Sequence, residues 1–222
     1  MDDRKIQIFL DSLLPLVKAG VAFTIPLALI SFVLGLILAI LTALARLSPW
    51  VFPKLIARFY VWVIRGTPLL VQLFIIFYGL PAVGIVLDPF IAATIGFTLS
   101  VGAYSSEIVR AAILSIHKGQ WEAAFSVGMT RAQALRRVIL PQAARVSVPP
   151  LSNSFISLVK DTSLAATITY TEMFRTAQQV ASTSYEPLLI YCEAGLFYLL
   201  FCSVLSALQN YLEKRLSRYS AS

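Results

Sequence analysis

Long apolar runs alternate with short polar stretches along this chain, and five of the runs are long enough to cross a bilayer. They cover about residues 19–45, 59–80, 91–109, 149–169 and 188–208, against a requirement of roughly 20 residues for a helical span. Inside lipid each backbone donor and acceptor must be paired within the protein, so runs of this length read as helices. The first run exceeds the minimum and implies tilt or an overhang. Residues 6–17 are also apolar but are broken by Asp11 and Pro15, which reads as an interfacial helix rather than a sixth span. The run that follows is too long for a signal-peptide core and lacks a small-residue cleavage site, so no cleavage is expected.

Composition points the same way. The chain is 58% hydrophobic and 13% charged, with mean hydropathy +0.80, outside the range of soluble globular domains. The pattern therefore predicts an all-α polytopic membrane protein over residues 1–222, one domain with five transmembrane helices. A net charge of +7 invites a nucleic-acid reading, but the basic residues lie between the apolar runs and follow membrane topology instead. Arg46, Lys54, Arg58 and Arg65 fill the first loop, while Arg110, Lys118, Arg131, Arg136, Arg137 and Arg145 fill the third. With Lys214, Arg215 and Arg218 they place 13 of the 18 basic residues on one side. Arg4, Lys5, Lys18 and Arg175 lie opposite, and Lys160 lies within a span. Positive-inside asymmetry then puts the amino terminus outside, and the carboxyl terminus and third loop inside.

The third loop, residues 117–141, is the longest polar and basic segment, and its local physics is readable. Residues 120–127 form a helix candidate, and Gly128 suits the left-handed residue that ends a helix. Thr130 followed by Gln133 gives a capping-box pattern for a second short helix, and Pro141 limits how far it continues. On these residues alone the segment is equally well a surface hairpin with ordinary caps. Its spacing is more specific. Glu122-Ala123-Ala124, three residues, Gly128, nine residues, Val138, one residue and Leu140-Pro141 resembles the signature cytoplasmic loop of bacterial ABC-type permeases, with Val138 in place of that pattern's Ile.

The resemblance implies that this loop is the coupling helix, docked in a groove of a separate ATPase. Glu122 would be its polar anchor, Ala123 and Ala124 would permit close approach, and Gly128 would set the turn. Further stretches are similar to the polar amino acid branch of that family: Arg65-Gly66-Thr67-Pro68-Leu69-Leu70-Val71-Gln72, Glu107-Ile108-Val109-Arg110, Pro149-Pro150-Leu151-Ser152-Asn153 and Lys160-Asp161-Thr162-Ser163-Leu164. Within that branch the overall likeness is to permeases of L-cystine importers. The resemblance implies residence in a bacterial inner membrane, with the amino terminus periplasmic. The implied partners are a pair of ATP-binding subunits, a periplasmic amino-acid-binding protein and a second permease, identical or related.

The fourth run carries the candidate chemistry. An ionised group at mid-membrane costs roughly 2.5–3.5 kcal/mol on insertion scales, so Lys160 and Asp161 need a reason to be there. Asn153, Ser157 and Asp161 recur every four positions and share a helix face, with Ser154 beside them. Facing a cavity, that stripe can meet an amino acid zwitterion, Asp161 pairing with the ammonium while Ser157 and Asn153 offer hydrogen bonds. In the competing reading, Asp161 pairs with a basic residue of another span and only holds the bundle together. Thr67 and Gln72 are further candidates: Thr67 to cap and Pro68 to begin the second span, whose amino terminus can attract a carboxylate, and Gln72 to line the path one turn further in. Arg65 there reads as a snorkelling side chain, and Glu107 and Arg110 as a pair at a helix end.

Other chemistries drop out. His117 is the sole histidine, so no multi-histidine metal site is expected. Cys192 and Cys202 are ten apart on one helix, ~15 Å by helical rise, too far for a disulfide. No phosphate-binding loop of the Gly-x-x-x-x-Gly-Lys-Ser/Thr kind exists in the sequence, so the chain reads as a transport subunit with no cofactor of its own, ATP being bound by its partner. The alternative is a stand-alone secondary carrier or channel. Such carriers often show internal repeats, and the two halves of this chain share none.

Overall fold

The computed structural model describes residues 3–217, and Arg218 of the basic tail lies outside the described residues. The described residues are almost entirely helical. Asp3–Leu47 (α1) runs as one helical stretch of 45 residues. Val51–Gly66 (α2) and Leu69–Val83 (α3) follow, then Pro89–Ser115 (α4) and Lys118–Ser126 (α5). Arg131–Ala134 (α6) leads into Leu140–Asp161 (α7). A 3-10 segment, Thr162–Ile168, precedes Met173–Ser184 (α8) and Pro187–Ser217 (α9).

Two of these, Asp3–Leu47 and Pro187–Tyr211 within α9, are long and apolar enough to cross a membrane unaided. Two bent pairs qualify jointly: α2 with α3, turned by 104°, and α4 with α5, turned by 64°. The expected span at residues 149–169 takes a different form. Its α-helix begins at Leu140 and stops at Asp161, and the 3-10 segment continues it. It is too polar to qualify by composition, and it packs among α1, α4 and α9 rather than standing alone.

Residues 6–17 depart from the interfacial-helix expectation, because they continue into the first span. The join is a π turn, Gly20–Thr24, placed just ahead of Ile25-Pro26. Proline removes a donor and its ring presses on the carbonyl four residues back. A wider i→i+5 turn relieves both, and here Ile25 N–H donates to Gly20 O. The device recurs at Ile75–Gly79 ahead of Pro81 and at Leu135–Ile139 ahead of Pro141. Pro141 therefore does not stop the helix as expected; the chain passes through it into α7.

Three apolar clusters hold the bundle. Leu27, Ala28, Phe97, Val101, Leu158 and Val159 join α1, α4 and α7 at its centre. Leu16, Met173, Ala177 and Ile190 fix the start of α1 on α8 and α9. Ala43, Ile113, Ile139 and Ala143 close the other end. Small residues set the α1–α4 approach: a Cβ on Gly35 would come within 2.6 Å of Val101. Glu172, fully buried, caps α8 by accepting from the backbone N–H groups of Phe174 and Arg175 and from the Tyr198 hydroxyl. Buried Glu193 meets Ser12 at 2.6 Å, tying α9 to α1.

Candidate functional site

The i, i+4, i+8 spacing of Asn153, Ser157 and Asp161 places all three on one wall of a ≈ 610 Å³ cavity between α4 and α7. Ser154 lines the same wall and comes within 3.5 Å of Ser105 on α4. Asp161 is the last residue of α7 and is exposed to the cavity. It makes no hydrogen bond or ion pair among the described residues.

The opposite end of the cavity is built from Arg65, Tyr104 and Glu107. Glu107 is the hub of three guanidinium groups, with Arg46 at 2.6 Å, Arg110 at 3.0 Å and Arg65 at 3.3 Å. The expected Glu107–Arg110 pair is thus one edge of a larger cluster. Three cations on one carboxylate leave positive charge in surplus, and Arg65 makes the longest of the contacts. Its guanidinium also lies 5.3 Å from the centre of the Tyr104 ring, within cation–π range. Ser154 and Asp161 are seven positions apart on α7, ~10 Å of helix, so Asp161 lies about two turns along the cavity wall from the level of Ser105.

Thr67 and Gln72 are placed elsewhere. Thr67 ends α2, Pro68 occupies the cap position of α3, and neither caps α3 through a side chain. Buried Gln72 donates through Nε2 to the carbonyls of Ile64 and Thr67 and to the Thr67 hydroxyl oxygen. These contacts satisfy carbonyls freed where α2 breaks from α3. Neither residue lines the cavity wall. Arg65 and Tyr104, which do, carry no local sequence signal that assigns them there.

The signature loop forms a second, separate feature. α5 ends in a left-handed Gly128 with φ +80°, where Met129 N–H donates to Ala124 O and Gly128 N–H to Phe125 O. That is the paired closure of a Schellman turn. Thr130 and Gln133 then exchange both bonds of a capping box. Glu122, Ala123 and Gly128 are exposed and Ala124 is buried. His117 caps α5, its Nδ1 accepting from Gly119 N–H. Cys192 and Cys202 are free thiols.

A largely apolar helical bundle with a charged-ended cavity and an exposed short helix at one end fits a membrane transport subunit, and its relatives say of which kind. The chain belongs to the family described as binding-protein-dependent transport system inner membrane component, which matches residues 35–218. It is 55% identical over 213 residues to the L-cystine transport system permease protein TcyB of Bacillus subtilis (strain 168), covering 93% of this chain and 89% of that one. It is 37% identical over 205 residues to the glutamine transport system permease protein GlnP of Escherichia coli (strain K12), covering 91% and 94%. Among solved structures, an amino acid ABC transporter crystallised with histidines matches with TM-score 0.88 and 34% identity, over 93% of this chain and 96% of that one. The MetNI methionine ABC transporter, at 20% identity and TM-score 0.70, shares the fold. The chain is therefore an amino-acid ABC transporter permease, an inner membrane protein.

Proposed function

We propose that this permease passes an elongated dipolar amino acid of the L-cystine class through the α4–α7 cavity. The observation that carries the reading is Asp161, a carboxylate without hydrogen-bond or ion-pair partner that faces a cavity also containing Asn153 and Ser157. An ammonium group arriving there offsets the cost of holding an unpaired carboxylate within the bundle. The surplus cation at Arg65 suits a carboxylate at the far end. L-cystine is long enough to reach along the cavity from Asp161 toward the Arg65 end. Its two Cα atoms lie about 5.5–6 Å apart, and one further bond to nitrogen and two to a carboxylate oxygen bring the reach to ~9 Å. The 55% identity to a permease named for L-cystine transport supports the same class.

The driving force on this reading comes from a separate ATPase pair that grips α5 through the exposed Glu122, Ala123 and Gly128. Ala124, buried inside the chain, packs the helix from behind and is not itself a contact. The substrate comes from a binding protein on the other side. A second permease, identical or related, completes the pathway. The end bearing Arg46, Arg65 and the signature loop faces the cytoplasm. The amino terminus, tied to the α8–α9 turn by Arg4–Ser184 and Lys5–Glu186 contacts, faces the periplasm. The test is Asp161→Asn, which preserves shape and removes the charge. Uptake of labelled L-cystine should fall sharply while expression and ATPase association persist. Normal uptake removes Asp161 from the substrate path, and lost expression assigns it to the scaffold.

A further inference from the structure

A second cavity, ≈ 640 Å³, lies away from the substrate path, where the end of α1 and the end of α4 meet α5 and α6. Its walls are apolar, with Leu44, Leu47, Ile113, Leu114, Trp121 and Leu135 facing inward. Two cations, Lys118 and Arg131, stand among them. Both are exposed, and neither forms an ion pair or hydrogen bond among the described residues, even though Glu122 follows Lys118 by one helical turn. The volume falls within the range of small-molecule sites, about 300–1,000 Å³.

We propose that this cavity holds an anionic phospholipid, its acyl chain against the leucine and tryptophan wall and its phosphate between Lys118 and Arg131. The cavity's Ser48-Pro49 edge runs into Trp50, Val51 and Phe52, which are 74–79% exposed. Aromatic and apolar side chains left bare beside a basic loop belong at the headgroup level of a bilayer, so the cavity opens where lipid is abundant. An apolar slot with paired cations between helix ends at that level matches the chemistry of an anionic lipid. A soluble phosphate would use the cations and leave the apolar wall wet. A neutral lipid would fill the wall and leave both cations unused. Lipid in this position would wedge α5, the coupling element, against α4.

Trp121 lies in the wall and reports the contact directly. The full chain with Trp50→Phe and Trp62→Phe, reconstituted in phosphatidylcholine vesicles, is titrated with brominated phosphatidylglycerol or brominated phosphatidylcholine, and quenching of Trp121 is followed. Each cation near an anionic headgroup favours it by about 5-fold. The phosphatidylglycerol titration should therefore reach half-quenching at a mole fraction about 25-fold lower. Lys118→Gln and Arg131→Gln should each reduce that preference, while Lys54→Gln/Arg58→Gln, on the same end but outside the cavity, should not. Equal quenching by the two lipids before any cation is changed overturns the proposal. A preference lost equally in the off-cavity control assigns it to general surface charge and overturns the site. Displacement by inorganic phosphate at matched ionic strength shows a soluble-anion site and overturns the lipid assignment.

Discussion

Gly128 gives the sharpest test of the signature loop, because its geometry separates two reasons for being glycine. A Cβ built there meets nothing within 4 Å, so space is not the constraint. Its φ of +80° is, since a side chain in the left-handed region costs roughly 1–2 kcal/mol and up to about 3 in strained settings. That energy opposes the turn in which Met129 and Gly128 close back on Ala124 and Phe125. At about 1.4 kcal/mol per factor of ten, valine shifts the loop away from this turn by ~5- to 150-fold. Asparagine tolerates the same backbone. The expected order for ATPase co-purification and amino acid uptake is wild type, then Gly128→Asn, Gly128→Ala and Gly128→Val, all at normal expression. Asparagine failing as badly as valine would refute the backbone argument. Valine transporting at the wild-type rate would take the loop out of coupling.

Two further outcomes are expected. A cysteine at Ser126 should be shielded from an impermeant thiol reagent in intact cells while one at Thr183 reacts, and the reverse pattern inverts the proposed orientation. Glu172→Ala removes the α8 cap, worth about 0.5–2 kcal/mol, and leaves the Tyr198 hydroxyl without its acceptor for about 1–3 more; a purified variant melting at the wild-type temperature would show that Glu172 does not fasten α8.

What was legible in the sequence is what is local. Thr130 with Gln133, the left-handed Gly128 and the Asn153–Ser157–Asp161 stripe each depend on residues within a few positions, and each is found in the structure. The three π turns were hidden, because proline reads as a stop unless the preceding turn can widen. That is why residues 6–17 and Pro141 behave differently from expectation. The long-range chemistry was hidden as well. Arg46 reaches Glu107 across 61 residues, Arg65 reaches it across 42, and Ser12 meets Glu193 across 181. No helical period records such meetings. Gln72, chosen for its depth in the second span, is used by the bend at Gly66-Thr67-Pro68, whose unpaired carbonyls have the first claim on a nearby amide.

Arg65 is where the proposed substrate path can be told apart from the scaffold around it. Glu107 already accepts shorter contacts from Arg46 and Arg110, so its charge stays compensated when Arg65 is removed. Arg65 is also 43% exposed at the side chain, and its pair with Glu107 is worth at most about 1 kcal/mol in that setting. Arg65→Gln should therefore leave expression, ATPase association and basal ATP hydrolysis near normal. A substrate carboxylate losing a charged hydrogen bond forfeits about 1.5–3 kcal/mol, so L-cystine uptake should fall ~10- to 150-fold. Arg65→Lys, keeping the charge without the planar fork, should fall between. The short zwitterions serine and alanine, offered as competitors in the wild type, should inhibit weakly because they cannot span both ends. Full uptake in Arg65→Gln would leave the cavity with one working end and reject the two-ended reading. Loss of the assembled complex would place Arg65 in the scaffold with Arg46 and Arg110.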